Sequence, residues 1–299
     1  MMARPAGWKP FGSLTRVLDL SEQVLRKALP AEIDPAEFER HQAFRWESRW
    51  RKGELLPIEH PALFDLNDLM GLEPGLEKLD LNVRQLIAGL PFNDVLLYGE
   101  RGTGKSSAVR GLLKRYANQG LRVIEVDRHD VVDLPRILDW VRFAPKQSYL
   151  IFCDDLTFSP EEPGFAELKA ALQGGLTARP SRTAIVATSN RRHLVPESMR
   201  DNRAAAVDES GELHLGEALE EKLALSDRFG LVIGFYAFDQ TTYLAAIDAC
   251  LNRAGIPALD EGQKREALRF SLERGSRSGR TAQQFSNALM GRIRLSKRG

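Results

Sequence analysis

Residues 94–116 read DVLLYGERGTGKSSAVRGLLKRY, and this stretch decides the fold. Gly99, Gly102 and Gly104 lie around a pair of charged residues and are followed at once by Lys105 and two serines. An apolar run precedes the glycines and a helical pattern follows them, so the order is strand, glycine-rich loop and helix. This order is typical of a phosphate-binding loop. The alternative is a glycine-rich turn that binds nothing, but such a turn does not require a strand before it and a helix after it.

The residue types of this loop suit an anion. Glycines permit backbone angles that let several amide N–H groups point at one phosphate, and the helix N-terminus adds its positive end. Lys105 supplies a point charge for the β- and γ-phosphates of a nucleotide, and Ser106 supplies a hydroxyl for Mg²⁺. We therefore predict that the phosphates are bound by Gly99, Glu100, Arg101, Gly102, Thr103, Gly104, Lys105, Ser106 and Ser107.

Strands and helices alternate on both sides of the loop. Strand patterns cover residues 94–99, 121–127, 148–155 and 183–190, and helical patterns cover residues 104–120, 134–143 and 165–175. Nearly continuous apolar strands that are separated by helices predict a parallel sheet with helices on both faces. A further strand lies within residues 231–238, and a mostly helical tail follows from about residue 239.

Polar side chains end two of the predicted strands. Asp154 and Asp155 follow the apolar run YLIFC, and Asn190 ends the run IVATSN. Ligands of open α/β sheets bind at the carboxyl ends of the strands, so Asp154 is predicted to hold Mg²⁺ through water, alongside Ser106. Asp155 is then placed to orient or polarise an attacking water, and Asn190 to reach that water or the γ-phosphate. An acidic turn that caps a helix is the alternative for the two aspartates.

The order of these parts resembles the AAA+ ATPases over residues 67–296. In that superfamily a Walker A loop is followed by a Walker B strand, a first sensor, an arginine finger and a helical lid that carries a second sensor. The resemblance implies a P-loop NTPase fold, ATP and Mg²⁺ as cofactors, and ATPase activity. It also implies an adenine pocket at Leu69, Met70 and Gly71, in the segment DLMGLEPGLEKL (68–79).

A narrower resemblance rests on six short segments of the chain. They are NDVLLYGERGTGKSS, FCDDLTF, ATSNRRHLVPE, LSDRFGL, FYAFDQTTYL and SGRTAQQF. Together they look like an uncharacterised bacterial family of predicted AAA+-type ATP-binding proteins, catalogued as a domain of unknown function. This resemblance implies ATP binding and says little about the biological role.

Two arginines receive roles from the resemblance. Arg228 lies where an arginine finger would reach the nucleotide of a neighbouring subunit, which implies a ring or helical homo-oligomer. A structural pairing of Arg228 with Asp227 or Glu221 is the alternative. Arg280 resembles the second sensor, which contacts the γ-phosphate in the same subunit, and Arg277 competes with it for that role.

The first 60 residues are predicted to form a helical extension, with helical patterns over residues 13–29 and 35–51. Aromatic residues of the second pattern lie among arginines, so they could stack on nucleic-acid bases or pack on the core or a partner. We favour packing for these residues, which are Phe38, Phe44, Trp46 and Trp50. The predicted domains are residues 1–60 (helical extension), 61–238 (α/β nucleotide-binding domain) and 239–299 (helical lid).

Composition sets the broad class of the protein. The 299 residues carry a net charge of +1, so no overall charge argues for nucleic acid or an anionic membrane as a partner. Two cysteines give no disulfide framework or zinc site, and Cys153 is predicted to be an inert buried thiol. The longest apolar run, residues 229–238, is too short to cross a bilayer, and we expect a cytoplasmic protein without a membrane partner.

The expected function is a Mg²⁺-dependent ATPase that couples ATP binding and hydrolysis to remodelling or loading of an unidentified protein partner. The expected catalytic residues are Lys105, Asp155, Asn190, Arg228 and Arg280. Many hydrolytic members of the class use Glu where this chain has Asp155, so slow or partner-dependent turnover is expected. Two alternatives remain, a nucleic-acid-associated ATPase of the helicase-loader or transposition-regulator type and a nucleotide-gated scaffold with little turnover.

Overall fold

The computed structural model describes residues 34–49, 52–158, 162–173, 178–190, 206–207, 213–214 and 225–296. The helix predicted over residues 13–29 lies outside these ranges.

The described part of the chain forms a seven-stranded sheet in the order β2-β1-β4-β5-β6-β3-β9. The strands are β1 (Ala43–Arg49), β2 (Lys52–Pro57), β3 (Val95–Gly99), β4 (Leu121–Val126), β5 (Ser148–Cys153), β6 (Thr183–Ser189) and β9 (Leu231–Phe235). All neighbours are parallel except β1 and β2, which are antiparallel. Two short strands, β7 (Ala206–Val207) and β8 (Leu213–His214), form a separate ribbon. The predicted α/β fold with a mostly parallel sheet is confirmed.

Helices flank this sheet and form the tail. They are α1 (Glu37–Arg40), α2 (Glu73–Ala88), α3 (Lys105–Tyr116), α4 (Leu134–Val141), α5 (Pro163–Gln173), α6 (Gln240–Arg253), α7 (Glu261–Glu273) and α8 (Gly279–Ser296). Helices α2 and α3 contribute to one apolar cluster with the sheet, and α4 and α5 contribute to a second cluster. The strands are thus buried from both sides, as nearly continuous apolar runs require. None of the helices within the described ranges is long and apolar enough to span a membrane.

The strand order brings the predicted site together. Strand β6 pairs with β3 on one side and with β5 on the other, and all three run in the same direction. Their carboxyl ends therefore meet at one edge of the sheet. The glycine-rich loop follows β3, Asp154 follows β5, and Asn190 follows β6. Cys153, the last residue of β5, is fully buried, and this burial raises the pKa of its thiol to about 12, as fits the predicted buried thiol.

The helix predicted over residues 35–51 is wrong. Among the described residues of this segment, 35–49, only Glu37–Arg40 is helical, and β1 pairs with β2 and with β4. Phe38, Phe44 and Trp46 are at most 1% exposed and pack in the core, so the base-stacking interpretation fails for these three residues. Phe44 and Trp46 lie two residues apart, a spacing that places both side chains on the same face of a strand. Trp50 lies outside the described residues.

The helical tail is confirmed in its described part, where α6, α7 and α8 enclose a third apolar cluster. Asp239 accepts a hydrogen bond from the Thr242 backbone N–H and so caps α6. Asp260 and Gln263 form a capping box at the start of α7.

Helix α2 was not predicted from the sequence. The division into domains at residues 60 and 238 stays a prediction.

Candidate functional site

A cavity of about 660 Å³ lies between the carboxyl edge of the sheet and the helical tail. The glycine-rich loop lines one side, and Leu69 and Met70 line another. Phe238, Gly279 and Arg280 border it from the tail. Of the residues predicted for the phosphates, 101–107 line this cavity together with Leu69 and Met70, whereas Gly99 and Glu100 do not line it.

The glycines of the loop are required by its shape. Gly99, Gly102 and Gly104 have φ angles of 132°, 80° and 110°, values that side chains disfavour. A Cβ on Gly104 would lie 2.6 Å from Leu69 Cδ2, and one on Gly102 would lie 2.8 Å from Arg280 Cβ. A Cβ on Gly99 would overlap the carbonyl oxygen of Phe235. The loop is therefore packed closely against Leu69, Arg280 and Phe235, and its backbone conformation suits a phosphate cradle.

Lys105 places a buried cation at this loop. Its Nζ donates to the carbonyl oxygens of Gly99 (2.7 Å) and Glu100 (2.8 Å) and to Oδ1 of Asn190 (3.2 Å). Burial lowers the pKa of Lys105, and the negative charges of Asp155 and Asp154 oppose that effect. An incoming phosphate would add a negative partner in direct contact with Nζ, which the three neutral oxygens do not supply.

Ser106 and Asp154 meet beside the loop, as predicted. Ser106 Oγ donates to Asp154 Oδ1 at 2.8 Å, and its distance to Oδ2 is 3.0 Å. Thr188 Oγ1 lies 2.5 Å from Oδ1 of the same carboxylate and accepts from the Asp155 backbone N–H at 2.8 Å. Hydroxyl and carboxylate oxygens are the ligands that Mg²⁺ prefers, so this donor set fits a Mg²⁺ site with several retained waters.

Asp155 has an unusual backbone conformation, with φ at 51°. Positive φ is uncommon outside glycine, although Asp adopts it more readily than most residues. Asn190 Nδ2 donates to Asp155 Oδ1 at 2.5 Å, and Arg101 Nη2 lies 3.9 Å from Oδ2. The left-handed turn therefore accompanies a carboxylate that lies next to Asn190 and the glycine-rich loop.

The three arginines named from the sequence occupy different places. Arg280 borders the cavity, and its backbone N–H donates to the Gly102 carbonyl at 3.2 Å. Arg277 does not line the described cavity, and neither does Arg228. Arg228 Nη1 is buried and has no hydrogen-bond partner, from Asp227 or any other residue, in the described part of the chain. Glu221 lies outside the described ranges.

Some predicted contacts are absent and some contacts were missed. Gly71 does not line the described cavity, although Leu69 and Met70 do. Thr188 was missed, yet it lies two residues before Asn190 on the same face of β6, so alternation along the strand could have indicated it. The ion pair between Asp68 and Arg253, which both line the cavity, was also missed, because nothing local relates these two residues.

Solved structures with a similar fold come from RuvB of Thermotoga maritima. One point mutant of that protein is 15% identical with a TM-score of 0.53, and the match covers 78% of this chain and 66% of that one. A second point mutant is 16% identical with a TM-score of 0.52, and the coverage is 78% and 67%. The RuvB structure described as a Holliday junction branch migration motor is 16% identical with a TM-score of 0.50, and the coverage is 78% and 66%. This chain thus spans about two thirds of their length.

At this level of identity, the RuvB structures show that the chain has the fold of the AAA+ P-loop NTPases. No curated protein matches the sequence. A family model does match it, over residues 39–293, and that family is described as "Protein of unknown function (DUF815)". The match confirms the resemblance stated from the sequence, and the chain belongs to this family.

Proposed function

We propose that the protein binds ATP with Mg²⁺ and hydrolyses it. One observation carries the proposal: a single cavity holds the buried Lys105 ammonium, the Ser106–Asp154 pair and the Asp155–Asn190 pair. These groups match the needs of phosphoryl transfer, which are charge at the phosphates, oxygen ligands for a metal and a polar pair for the attacking water.

Each side chain would have a separate task. Lys105 and the amides of the glycine-rich loop would bind the β- and γ-phosphates, while Leu69 and Met70 would pack on the base. Ser106 and Asp154 would hold Mg²⁺, which when bound neutralises charge on the phosphate oxygens. Asp155 would orient the attacking water and polarise it.

Two further polar groups would act on the terminal phosphate. Asn190 would donate a hydrogen bond to it or to the water, because its amide already lies next to both Lys105 and Asp155. Arg280 would stabilise the departing phosphoryl group from the lid.

We also propose that the nucleotide state is passed to a partner through the lid. Its support is the direct hydrogen bond between the Arg280 backbone N–H and the Gly102 carbonyl, which joins the lid to the loop. A change at the terminal phosphate would alter this hydrogen bond, and the angle between the lid and the glycine-rich loop would change with it. The partner would be a macromolecule that the protein remodels or loads, and the working form would be a homo-oligomer in which Arg228 reaches a neighbouring site.

The test of catalysis is an Asp155→Asn variant. Calorimetry with ATP and Mg²⁺ should give an affinity within about twofold of the wild type, because the amide keeps the shape of the side chain. Phosphate release should fall by about 10²-fold or more, as is usual when a general base is lost. Asp139→Asn, at an exposed residue of α4, is the matched control and should keep the full rate.

The results separate binding from hydrolysis. An unchanged rate in Asp155→Asn would remove Asp155 from the proposed mechanism. Tight ATP binding by the wild type without phosphate release in any assembled state would overturn the proposed hydrolysis and leave a nucleotide-gated scaffold.

A further inference from the structure

Arg101 is a second cation on the glycine-rich loop. The sequence placed it among the phosphate-binding residues of the loop, but the mechanism proposed above gives its side chain no separate task. The side chain borders the cavity and is 75% exposed. Its Nη2 lies 3.9 Å from Asp155 Oδ2. No other ion pair or hydrogen bond holds this guanidinium within the described ranges. A long, charged side chain is therefore held loosely at the mouth of the cavity, next to the carboxylate proposed to act on water.

The guanidinium lies near the second oxygen of that carboxylate, at a distance longer than a hydrogen bond. Oδ1 of Asp155 accepts from Asn190 Nδ2, and Oδ2 faces Arg101. Both side chains of the ion pair are more than half exposed, and exposed ion pairs contribute little to stability. A terminal phosphate carries more charge and three acceptor oxygens, so it is a stronger partner for a guanidinium.

The charges around the loop favour this exchange. Arg101, Lys105 and Arg280 line the cavity together with the carboxylates of Asp154 and Asp155. Over the whole described lining, cations outnumber carboxylates by five to three: Arg101, Lys105, Arg110, Arg253 and Arg280 against Asp68, Asp154 and Asp155. An incoming anion would compensate this excess positive charge.

We propose that Arg101 leaves Asp155 and binds the terminal phosphate when a nucleoside triphosphate enters the site. The inference rests on the proposed function. It adds that the Arg101 side chain distinguishes a nucleoside triphosphate from a diphosphate in the site of its own subunit. The exchange also moves the guanidinium away from Asp155 Oδ2, the oxygen that would accept a hydrogen bond from the attacking water.

The test compares two nucleotides in four proteins. Calorimetry with Mg²⁺ measures the affinity for the non-hydrolysable analogue AMPPNP and for ADP in the wild type and in Arg101→Ala, Arg101→Lys and Arg265→Ala. The Arg101→Ala variant should bind AMPPNP about tenfold more weakly, which is the effect expected from the loss of one hydrogen bond to a charged group. Its affinity for ADP should stay within about twofold of the wild type. Arg101→Lys keeps the charge and should recover part of the loss. Arg265, which is exposed on α7, is the charge control and should change neither affinity.

Each result decides the inference. If the wild type prefers AMPPNP and Arg101→Ala keeps the same preference, or loses both affinities equally, Arg101 does not read the terminal phosphate. If the wild type binds neither nucleotide, the proposed function fails, and the inference fails with it. Thermal melting without nucleotide checks folding, which Arg101→Ala should preserve because the side chain is exposed and makes one weak contact.

Discussion

Lys105 is the residue on which nucleotide binding should depend most. In Lys105→Met the carbonyl oxygens of Gly99 and Glu100 lose their donor, and the phosphates lose their nearest buried cation. We expect the affinity for ATP with Mg²⁺ to fall about 10²-fold. This corresponds to about 2.7 kcal/mol of binding free energy, which is the amount expected when hydrogen bonds from a charged group are lost. Calorimetry measures the affinity. Lys114→Met, on the same helix but in an exposed ion pair with Asp65, should bind ATP like the wild type.

The same lysine should make binding depend on pH. Burial lowers the pKa of Lys105, and only the protonated amine attracts a phosphate. The affinity should therefore fall as the pH rises through this lowered pKa, at a pH below the value of about 10.4 for an ordinary lysine. Titrations between about pH 8 and pH 10 measure this fall, in a range where the charge on ATP is constant. A fall of the same size in Lys105→Met would assign the pH dependence to another group.

At the scale of residues, the sequence predicts the positions of those site side chains that come directly after a strand. Asp154 and Asn190 could be placed at the cavity because each directly follows an apolar run that parallel strands align. The left-handed backbone of Asp155 could not be foreseen, because it depends on the hydrogen bond that Thr188 of the next strand accepts. The ion pair between Arg101 and Asp155 could not be foreseen either, since it joins the loop after β3 to the end of β5, and β6 lies between these two strands.

At the scale of elements, β1 is the part of the fold that most needs a test. The ring of Trp46 is 1% exposed, meets Trp140 edge to face with centroids 5.8 Å apart, and donates from Nε1 to Asp133 Oδ2 at 3.2 Å. Trp46→Ala should therefore lower the free energy of unfolding by about 3–5 kcal/mol, as for other buried aromatic residues. Urea denaturation measures this change.

A matched variant lies next to Trp46 on the same strand. Arg45 points to the other face, is exposed and pairs with Glu125, so Arg45→Ala should cost at most about 1 kcal/mol. Equal, small costs for both variants would show that β1 does not pack in the core as described.

Elements beside the glycine-rich loop were predicted well because each has one dominant pattern. The strand at β3 and the helix at α3 are apolar and amphipathic runs on either side of the loop, and their neighbours repeat this alternation. Residues 35–51 carry two patterns at once, since Phe38 and Trp46, eight residues apart, suit one face of a helix while Phe44 and Trp46 suit one face of a strand. The pairing of β1 with β4, which decides between them, joins strands that lie far apart in the chain, so a local pattern does not contain it.

At the scale of the whole molecule, Arg228 raises the question of assembly. One subunit leaves the buried Nη1 of Arg228 without a hydrogen-bond partner in the described structure, although buried polar atoms usually have one. Arg228 does not line the described cavity. The residue is only half-buried, so we expect the terminal phosphate of a neighbouring subunit to meet its exposed part, since Nη1 itself is closed off within its own subunit. Arg228→Ala should then keep ATP affinity within about twofold and lose about 10³-fold or more of the hydrolysis rate.

Mixing two inactive variants tests whether this arginine acts between subunits. Arg228→Ala keeps a complete catalytic carboxylate, and Asp155→Asn keeps the arginine, so a mixed assembly would contain sites with both groups. We expect ATPase activity to appear on mixing and to peak near equal amounts. Mixing Arg228→Ala with the double variant Asp155→Asn/Arg228→Ala supplies no arginine and should stay inactive. If Arg228 instead served its own subunit, no proportion of the first two variants would recover activity, because neither chain carries both groups.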